Sequence, residues 1–427
     1  MAAADPLLEV HRLCREHDEW RSGTINLIAS ENVLSPAARR LLDSDFHHRY
    51  AEGHPGARYY EGTRFIDEIE DNTRRLITEI LGADRVDVRL PSGTMANEAV
   101  FSALMPTGAT ALAHGVAGGG HISHARIGAL GKRTDRILEL PRLPDGFRMD
   151  GAAARDVIAR ERPALVVLGR SLFLFPEPVA EIREACDEAG AVVLYDASHV
   201  LGLITGGRFQ DPLREGADLI TASTHKTYFG PQRGIIAARG KDDAWWKPID
   251  RAVFPGVTSN HHLFSLPSLY AASLEVKEFG RAYAAAVVAN AKALAAALDG
   301  LGFTVAAKDL GYTESHQVAV DMGDHGGGRD ISARLAKGGI ICNMNLLPGE
   351  PGKNARNPRG IRLGVQEMTR YGMGPEEMER IASLIEDCVA KGLDVGAECR
   401  RLRSDFPQIR YGFGLDCLVA KSPAKSR

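Results

Sequence analysis

The sequence predicts an α/β protein whose core is a mainly parallel β-sheet with helices on both faces. Two patterns and the chain length lead to that fold class. From residue 86 onward, apolar runs of strand length alternate with helical segments, the order that βαβ connections produce. Several of these runs open directly into small-residue turns: 86–90 precedes Ser92-Gly93-Thr94, and 111–114 precedes the glycines at 118–120. The 427 residues are enough for several packed layers and for two domains within one subunit.

Residues 7–21 set apolar and charged side chains at helical spacing and break at Ser22-Gly23. A short apolar piece, 25–29, then ends in the polar Ser30-Glu31-Asn32. Residues 66–82 read as an amphipathic helix closed by Gly82. Strands are expected at 86–90, 111–114, 164–168, 191–195 and 219–223, with a helix at 177–189. Residues 272–301 form a long alanine-rich helical stretch, expected to bridge to a smaller C-terminal α/β domain with strands at 317–321 and 361–363. The expected organisation is therefore an N-terminal arm (1–45), a large domain (46–271), and the bridging helix with the small domain (272–427). No internal repeat or extended linker is visible.

Net charge is −3 and no basic block stands out, so electrostatics give no reason to expect nucleic acid or an anionic membrane as partner. The basic tail 420–427 reads as a frayed, solvated terminus. Six cysteines at 14, 186, 342, 388, 399 and 417 form no C-x-x-C pair, which argues against a metal or disulfide framework. No apolar run approaches membrane-spanning length, and Met1-Ala2-Ala3-Ala4-Asp5-Pro6 lacks the features of a signal peptide. A cytoplasmic protein is expected.

The chemistry is concentrated at the ends of two expected strands. Val192-Val193-Leu194-Tyr195 runs into Asp196-Ala197-Ser198-His199, and thirty residues after Asp196 comes Lys226, in Ser223-Thr224-His225-Lys226-Thr227. An acid closing one strand and a lysine just past the next suit pyridoxal phosphate (PLP): the lysine forms the Schiff base and the acid keeps the pyridine nitrogen protonated. Taken singly, each is as well explained by a solvated charge at a strand end. Ser92-Gly93-Thr94 opens a helix whose N–H groups and hydroxyls suit a phosphate, although a serine N-cap alone would look the same. His121, after Gly118-Gly119-Gly120, could stack on a planar ring or be a surface histidine. Arg362 is a guanidinium in an apolar strand, so it needs a carboxylate, either from a substrate or from a structural Asp or Glu.

Together these segments resemble the serine hydroxymethyltransferase family of fold type I PLP enzymes, over nearly the whole chain. The matching order is Leu27-Ile28-Ala29-Ser30-Glu31-Asn32, then Tyr50-Ala51-Glu52-Gly53-His54-Pro55-Gly56-Ala57-Arg58-Tyr59-Tyr60. Ser92-Gly93-Thr94, Gly120-His121, Asp196-Ala197-Ser198-His199, Ser223-Thr224-His225-Lys226-Thr227 and Gly360-Ile361-Arg362 follow. Residues 172–179, 253–263 and 345–349 look like the archaeal branch. The resemblance implies a seven-stranded, mainly parallel sheet, PLP on Lys226, Asp196 at the ring nitrogen and His121 stacked on the ring. It implies phosphate contacts from Ser92, Gly93, Thr94, Thr224 and His225, and ring or substrate contacts from Ser171 and His199. Arg362 and Ser30 would hold the amino-acid carboxylate. Glu52 would manage the proton of the β-hydroxyl beside Tyr60, reaching with Tyr50 across the interface of a homodimer or dimer of dimers. The implied reaction makes or breaks the Cα–Cβ bond of β-hydroxy-α-amino acids through a glycyl quinonoid.

Three departures from the family pattern bear on the acceptor. Glu61 stands where Tyr-Tyr is usually followed by glycine, with Thr63 after Gly62. Arg233 stands in place of a glycine after Pro231-Gln232, and Met344 in place of the lysine of Asn-Lys-Asn. Added charge and bulk near the cofactor mouth disfavour a pterin. They favour, narrowly, a threonine transaldolase that passes the glycyl unit from L-threonine to another aldehyde. The alternatives are an ordinary hydroxymethyltransferase with a tetrahydropterin carrier, and a non-catalytic PLP-binding protein.

Overall fold

The computed structural model describes residues 6–240 and 243–419; the tail 420–427 and residues 1–5, on which the expectations about the termini rest, lie outside the described residues. The large sheet has seven strands: β1 (Arg85–Leu90), β2 (Ala111–Ala113), β3 (Ile137–Glu139), β4 (Leu165–Leu168), β5 (Val192–Asp196), β6 (Leu219–Ser223) and β7 (Gly234–Ala238). Their order is β1-β7-β6-β5-β4-β2-β3. All neighbours are parallel except β7, which runs antiparallel to both β1 and β6. Strands β4 to β7 are buried along their whole length, so they read as continuous apolar runs rather than alternating ones. Asp196 and Ser223 are the last residues of β5 and β6, at the carboxyl edge where open α/β sheets receive ligands.

Helix α1 (Pro6–Ser22) has no buried residue. Within the expected N-terminal arm, Ile25–Asn26 pairs in parallel with Ile340–Ile341, tying this segment to the C-terminal part of the chain. Helix α2 (Arg64–Leu81) ends on Gly82 at φ 59°, a left-handed conformation that a side chain would disfavour. Helix α3 (Gly93–Leu104) follows β1, with Ser92 as N-cap accepting from the Met95 N–H.

The bridging helix α4 (Leu266–Gly300) starts six residues before the sequence expectation, because Pro267 sits in its first turn, where a missing N–H costs nothing. By length and composition it is apolar enough to cross a membrane, contrary to the sequence reading. Its packing identifies a core helix instead. One face is buried along its length, and Glu275 on that face is fully buried and paired with Arg370 at 2.7 Å. The small sheet has the order β8-β9-β11-β10, with β8 (Thr304–Val305), β9 (Gln317–Asp321), β10 (Asn343–Asn345) and β11 (Gly360–Gly364), all antiparallel.

Candidate active site

The carboxylate at the end of β5 is fully engaged. Asp196 Oδ2 accepts from Asn97 Nδ2 at 2.7 Å and from His124 Nε2 at 3.1 Å, and Oδ1 accepts from the Ser198 N–H at 3.0 Å. Burial alone would raise its pKa. The hydrogen bond from His124, with that from Ser198, overcomes that and holds the carboxyl well below the ordinary range. Asn97 is aimed by Thr221, whose hydroxyl donates to its Oδ1 at 2.5 Å. A permanently ionised acid in a low-dielectric site is what a protonated ring nitrogen requires.

Lys226 lies nearby, its Nζ donating to Ser223 Oγ at 3.2 Å. Burial, with the Arg362 charge and against that of Asp196, pushes its pKa down to about 8, so the nucleophilic neutral amine is accessible near neutral pH. The lysine lines a small cavity with Thr94, Asn97, His121, Arg170, Asp196, Ser198, His199 and Ser223. At one end the α3 N-terminus approaches the serines so closely that a Cβ on Gly93 would lie 2.5 Å from Ser223 Oγ and 2.9 Å from Ser198 Oγ. Two hydroxyls and a helix N-terminus without a side chain form a cradle for a phosphate monoester. Together with the ionised Asp196, these residues fit PLP.

His121 closes one side. Its Nδ1 accepts from the Ser123 N–H at 3.2 Å and lies 2.7 Å from the Ser123 hydroxyl. Burial lowers its pKa to about 4 despite Asp196, so the ring stays neutral and can lie against another ring. His199, also in the cavity, is held neutral chiefly by burial, and the Lys226 and Arg362 charges add to the effect. Arg362, at the centre of β11, donates through Nη1 to Ser171 O (2.7 Å) and Ser171 Oγ (2.9 Å), and through Nε and Nη2 to Asn343 Oδ1 (both 3.2 Å). The structural carboxylate allowed by the sequence is not there: among the described residues no Asp or Glu pairs with it, and burial lowers its pKa to about 10. A guanidinium held by neutral acceptors leaves its charge for an incoming carboxylate.

Other expected residues fall elsewhere. The Thr224 hydroxyl donates to Pro231 O at 2.6 Å, bracing the turn after the lysine, and Thr224 does not line the cavity. Ser30 and His225 line an adjoining cleft with Asn32, Gln232 and Glu367. That cleft backs onto the lysine through Asn32 Nδ2, which donates to Lys226 O at 2.8 Å. Ser92 serves as the α3 cap. Tyr50, Glu52 and Tyr60 do not reach the cavity of their own chain. Tyr50 and Tyr60 are 52% and 45% exposed and meet edge to face, with centroids 6.0 Å apart, beside Glu61 in a surface depression.

The loop around Glu52 is nevertheless tightly built. Arg58 Nη1 donates to Ala51 O and Gly53 O, the carbonyls on either side of Glu52, both at 2.7 Å. Asp67 and Glu70 orient the guanidinium, and His261 links Glu70 to Arg233. Arg233 is thus fully buried, donating to Val88 O and to the carbonyl of His262. It is a core residue and adds no charge to the cavity mouth. Met344 lies on β10 next to Asn343. Since Asn343 directs its side chain to Arg362, strand alternation turns Met344 to the opposite face.

Sequence reasoning missed roles for Asn97, His124, Ser198, Ser223, Arg58 and Gln317. For Asn97 a signal existed: it lies one helical turn after Gly93, on the face that looks along the strand ends.

The family model for serine hydroxymethyltransferase matches residues 2–385. Among curated relatives named serine hydroxymethyltransferase, that of Thermoplasma acidophilum is 46% identical over 408 residues, covering 95% of this chain and 96% of the relative. That of Methanopyrus kandleri is 48% identical over 414 residues, covering 96% of each. A solved structure of L-threonine transaldolase from Pseudomonas fluorescens in its internal aldimine state superposes with a TM-score of 0.87 at 31% identity, covering 95% of this chain and 93% of that one.

Proposed function

The chain belongs to the serine hydroxymethyltransferase family and is a PLP-dependent enzyme acting on the Cα–Cβ bond of amino acids; from that premise we propose that it interconverts serine and glycine with a reduced pterin as one-carbon carrier. The observation that carries the choice is the placement of the departures from the family pattern. Of the three changes that disfavoured a pterin, Arg233 is buried in the core and Met344 faces away from Arg362. The change at Glu61 and Thr63 remains, at the surface depression beside Tyr50 and Tyr60. Two of the three reasons for preferring a transaldolase therefore fall away.

Bound PLP supplies an electron sink for the carbanion left at Cα. Asp196 keeps the ring nitrogen's proton in place, and the α3 N-terminus with Ser198 and Ser223 holds the phosphate. Arg362, whose charge no carboxylate neutralises and whose Nη2 keeps one free N–H, would bind the amino-acid carboxylate. His121, neutral, covers one face. Glu52, presented by a neighbouring subunit, takes or returns the β-hydroxyl proton. A homodimer or dimer of dimers and a cytoplasmic location belong to this reading.

The second reading, L-threonine transaldolase, is favoured by Glu61, whose carboxylate would repel the carboxylates of a folate, and by the likeness to the Pseudomonas fluorescens structure. One assay separates them. PLP-loaded protein is given L-serine with tetrahydrofolate, or L-threonine with an aromatic aldehyde. Faster glycine formation from serine, stimulated by tetrahydrofolate, is expected. Turnover of threonine with no folate stimulation would replace the first reading with the second.

A further inference from the structure

Gln317, the first residue of β9, is fully buried where the small domain meets the large one. Its Oε1 accepts the Phe173 N–H at 2.8 Å, and its Nε2 donates to Ser171 O at 3.1 Å. A backbone donor and a backbone acceptor cannot exchange roles, so these two contacts fix which end of the amide is oxygen and which is nitrogen. The same Nε2 lies 2.9 Å from His199 Nδ1. Nδ1 must then accept, which places the imidazole proton on Nε2. His316 Nε2, 3.4 Å from the amide, offers no alternative acceptor, because it donates to Ala29 O at 3.1 Å.

Ser171 O, held by Gln317, is also the acceptor for Arg362 Nη1 at 2.7 Å. One amide thus ties together the cavity histidine and the carbonyl that aims the arginine. His316 stacks on His199, with centroids 5.6 Å apart and an angle of 18°, and the Thr227 hydroxyl donates to His199 O and anchors its backbone.

We propose that Gln317 is a positioning residue that locks His199 as a neutral Nε2–H donor facing the cofactor cavity and, through Ser171, sets the Arg362 guanidinium for the amino-acid carboxylate. The Arg362 half rests on the function proposed above; the His199 half does not. His199 on this view is a hydrogen-bond donor throughout and never a general base at Nδ1. Lys226, Arg362, His316 and His121 around it are cationic or neutral, and Asp196, the anion lining the same cavity, is already engaged by Asn97, His124 and the Ser198 N–H.

The test uses holoenzyme labelled with ¹⁵N-histidine, with the His199 signals assigned by their loss in His199→Asn. Wild type is expected to show a single Nε2–H tautomer for His199 that does not protonate down to pH 5. Gln317→Leu removes the amide and should give a tautomer mixture with about tenfold weaker glycine binding, read from the change in cofactor absorbance. Gln317→Glu places a carboxylate against Nδ1 and should turn His199 into an imidazolium near neutral pH, a change of opposite sign from a side chain of similar shape. Near-ultraviolet circular dichroism and thermal melting identify folded variants. An Nδ1–H tautomer in wild type, or an unchanged His199 in folded Gln317→Leu and Gln317→Glu, would overturn the proposal. A shifted tautomer with unchanged glycine affinity would overturn the Arg362 half. Failure of every amino acid to perturb the wild-type spectrum would strike the proposed function instead, because the tautomer is read without substrate.

Discussion

At the scale of single residues, burial and neighbouring charge set the properties on which the chemistry depends. Lys226 has its pKa lowered from 10.5 to about 8, so PLP capture should accelerate as pH rises through about 8 and then level off. The same shift gives a stability effect with a definite sign. Between about 8 and 10.5 the unfolded lysine binds a proton that the folded one does not, so the cofactor-free chain should gain stability as pH rises through that window. Stopped-flow absorbance and thermal melts check the two. Lys226→Ala should abolish the borohydride-reducible adduct, and labelling of another lysine would displace it from the site. Arg362→Ala should retain PLP while amino-acid affinity falls by about 1.5–3 kcal/mol, measured by spectroscopic titration, because a charge-assisted contact is lost. Asp196 and Lys226 were legible in the sequence because one closes an apolar strand and the other follows the next, and Arg362 because it is a charge inside an apolar strand. Asn97, His124 and Gln317 were not, since each acts on a group brought near only by folding: Asn97 reaches Asp196 across 99 residues, and Gln317 reaches His199 across 118.

At the scale of elements, the loop that carries Glu52 is shaped by one side chain. Arg58 is buried with Asp67 and Glu70, and the Glu70 carboxyl is lowered to about 2: burial opposes the shift, and His261 and Arg58 overcome it. Arg58→Met would strand those carboxylates and release the carbonyls flanking Glu52. We expect a loss of about 3–5 kcal/mol of stability, the scale for breaking a buried ion pair from one side. Proteolysis should appear first between residues 50 and 62. A melting temperature equal to wild type would show that the network is dispensable. The same network explains why Arg233 was misplaced by the sequence. An arginine following Pro231-Gln232 reads as charge near the lysine, and only the approach of β7 to β1 shows that its guanidinium reaches back to Val88 and His261. Alternation of strand and helix was legible because fully buried parallel strands are continuous apolar runs. The short edge strand β3 and the antiparallel β7 were not, because neither is set apart by a crossover helix in the pattern.

At the scale of the whole molecule, the site of one chain lacks the side chains expected to handle the β-hydroxyl proton. Tyr50, Glu52 and Tyr60 lie outside the cavity, and other large apolar side chains among the described residues are also exposed. Tyr59 is 76% exposed and Phe65 66%, while α1 presents Leu8, Val10, Leu13 and Trp20 with no residue buried. Exposed apolar groups are costly in water where they cluster, and we expect a second copy of the chain to cover those beside Tyr50 and Tyr60. In a twofold dimer each subunit would give its loop to the other's cavity and receive one in return. The consequence is quantitative. In a hybrid of one Lys226→Ala and one Glu52→Ala subunit, one cavity has lost both groups and the other keeps both, whereas each parent dimer has lost one group in every cavity. Random reassortment makes about half of the dimers hybrids, each with one intact site of two, so mixing the two inactive proteins should restore about a quarter of wild-type activity. If every site were built within one chain, each cavity of the hybrid would still carry one lesion. Hybrid dimers isolated by two affinity tags would then be as inactive as the parents, and Glu52 would have to act from its own subunit or not at all.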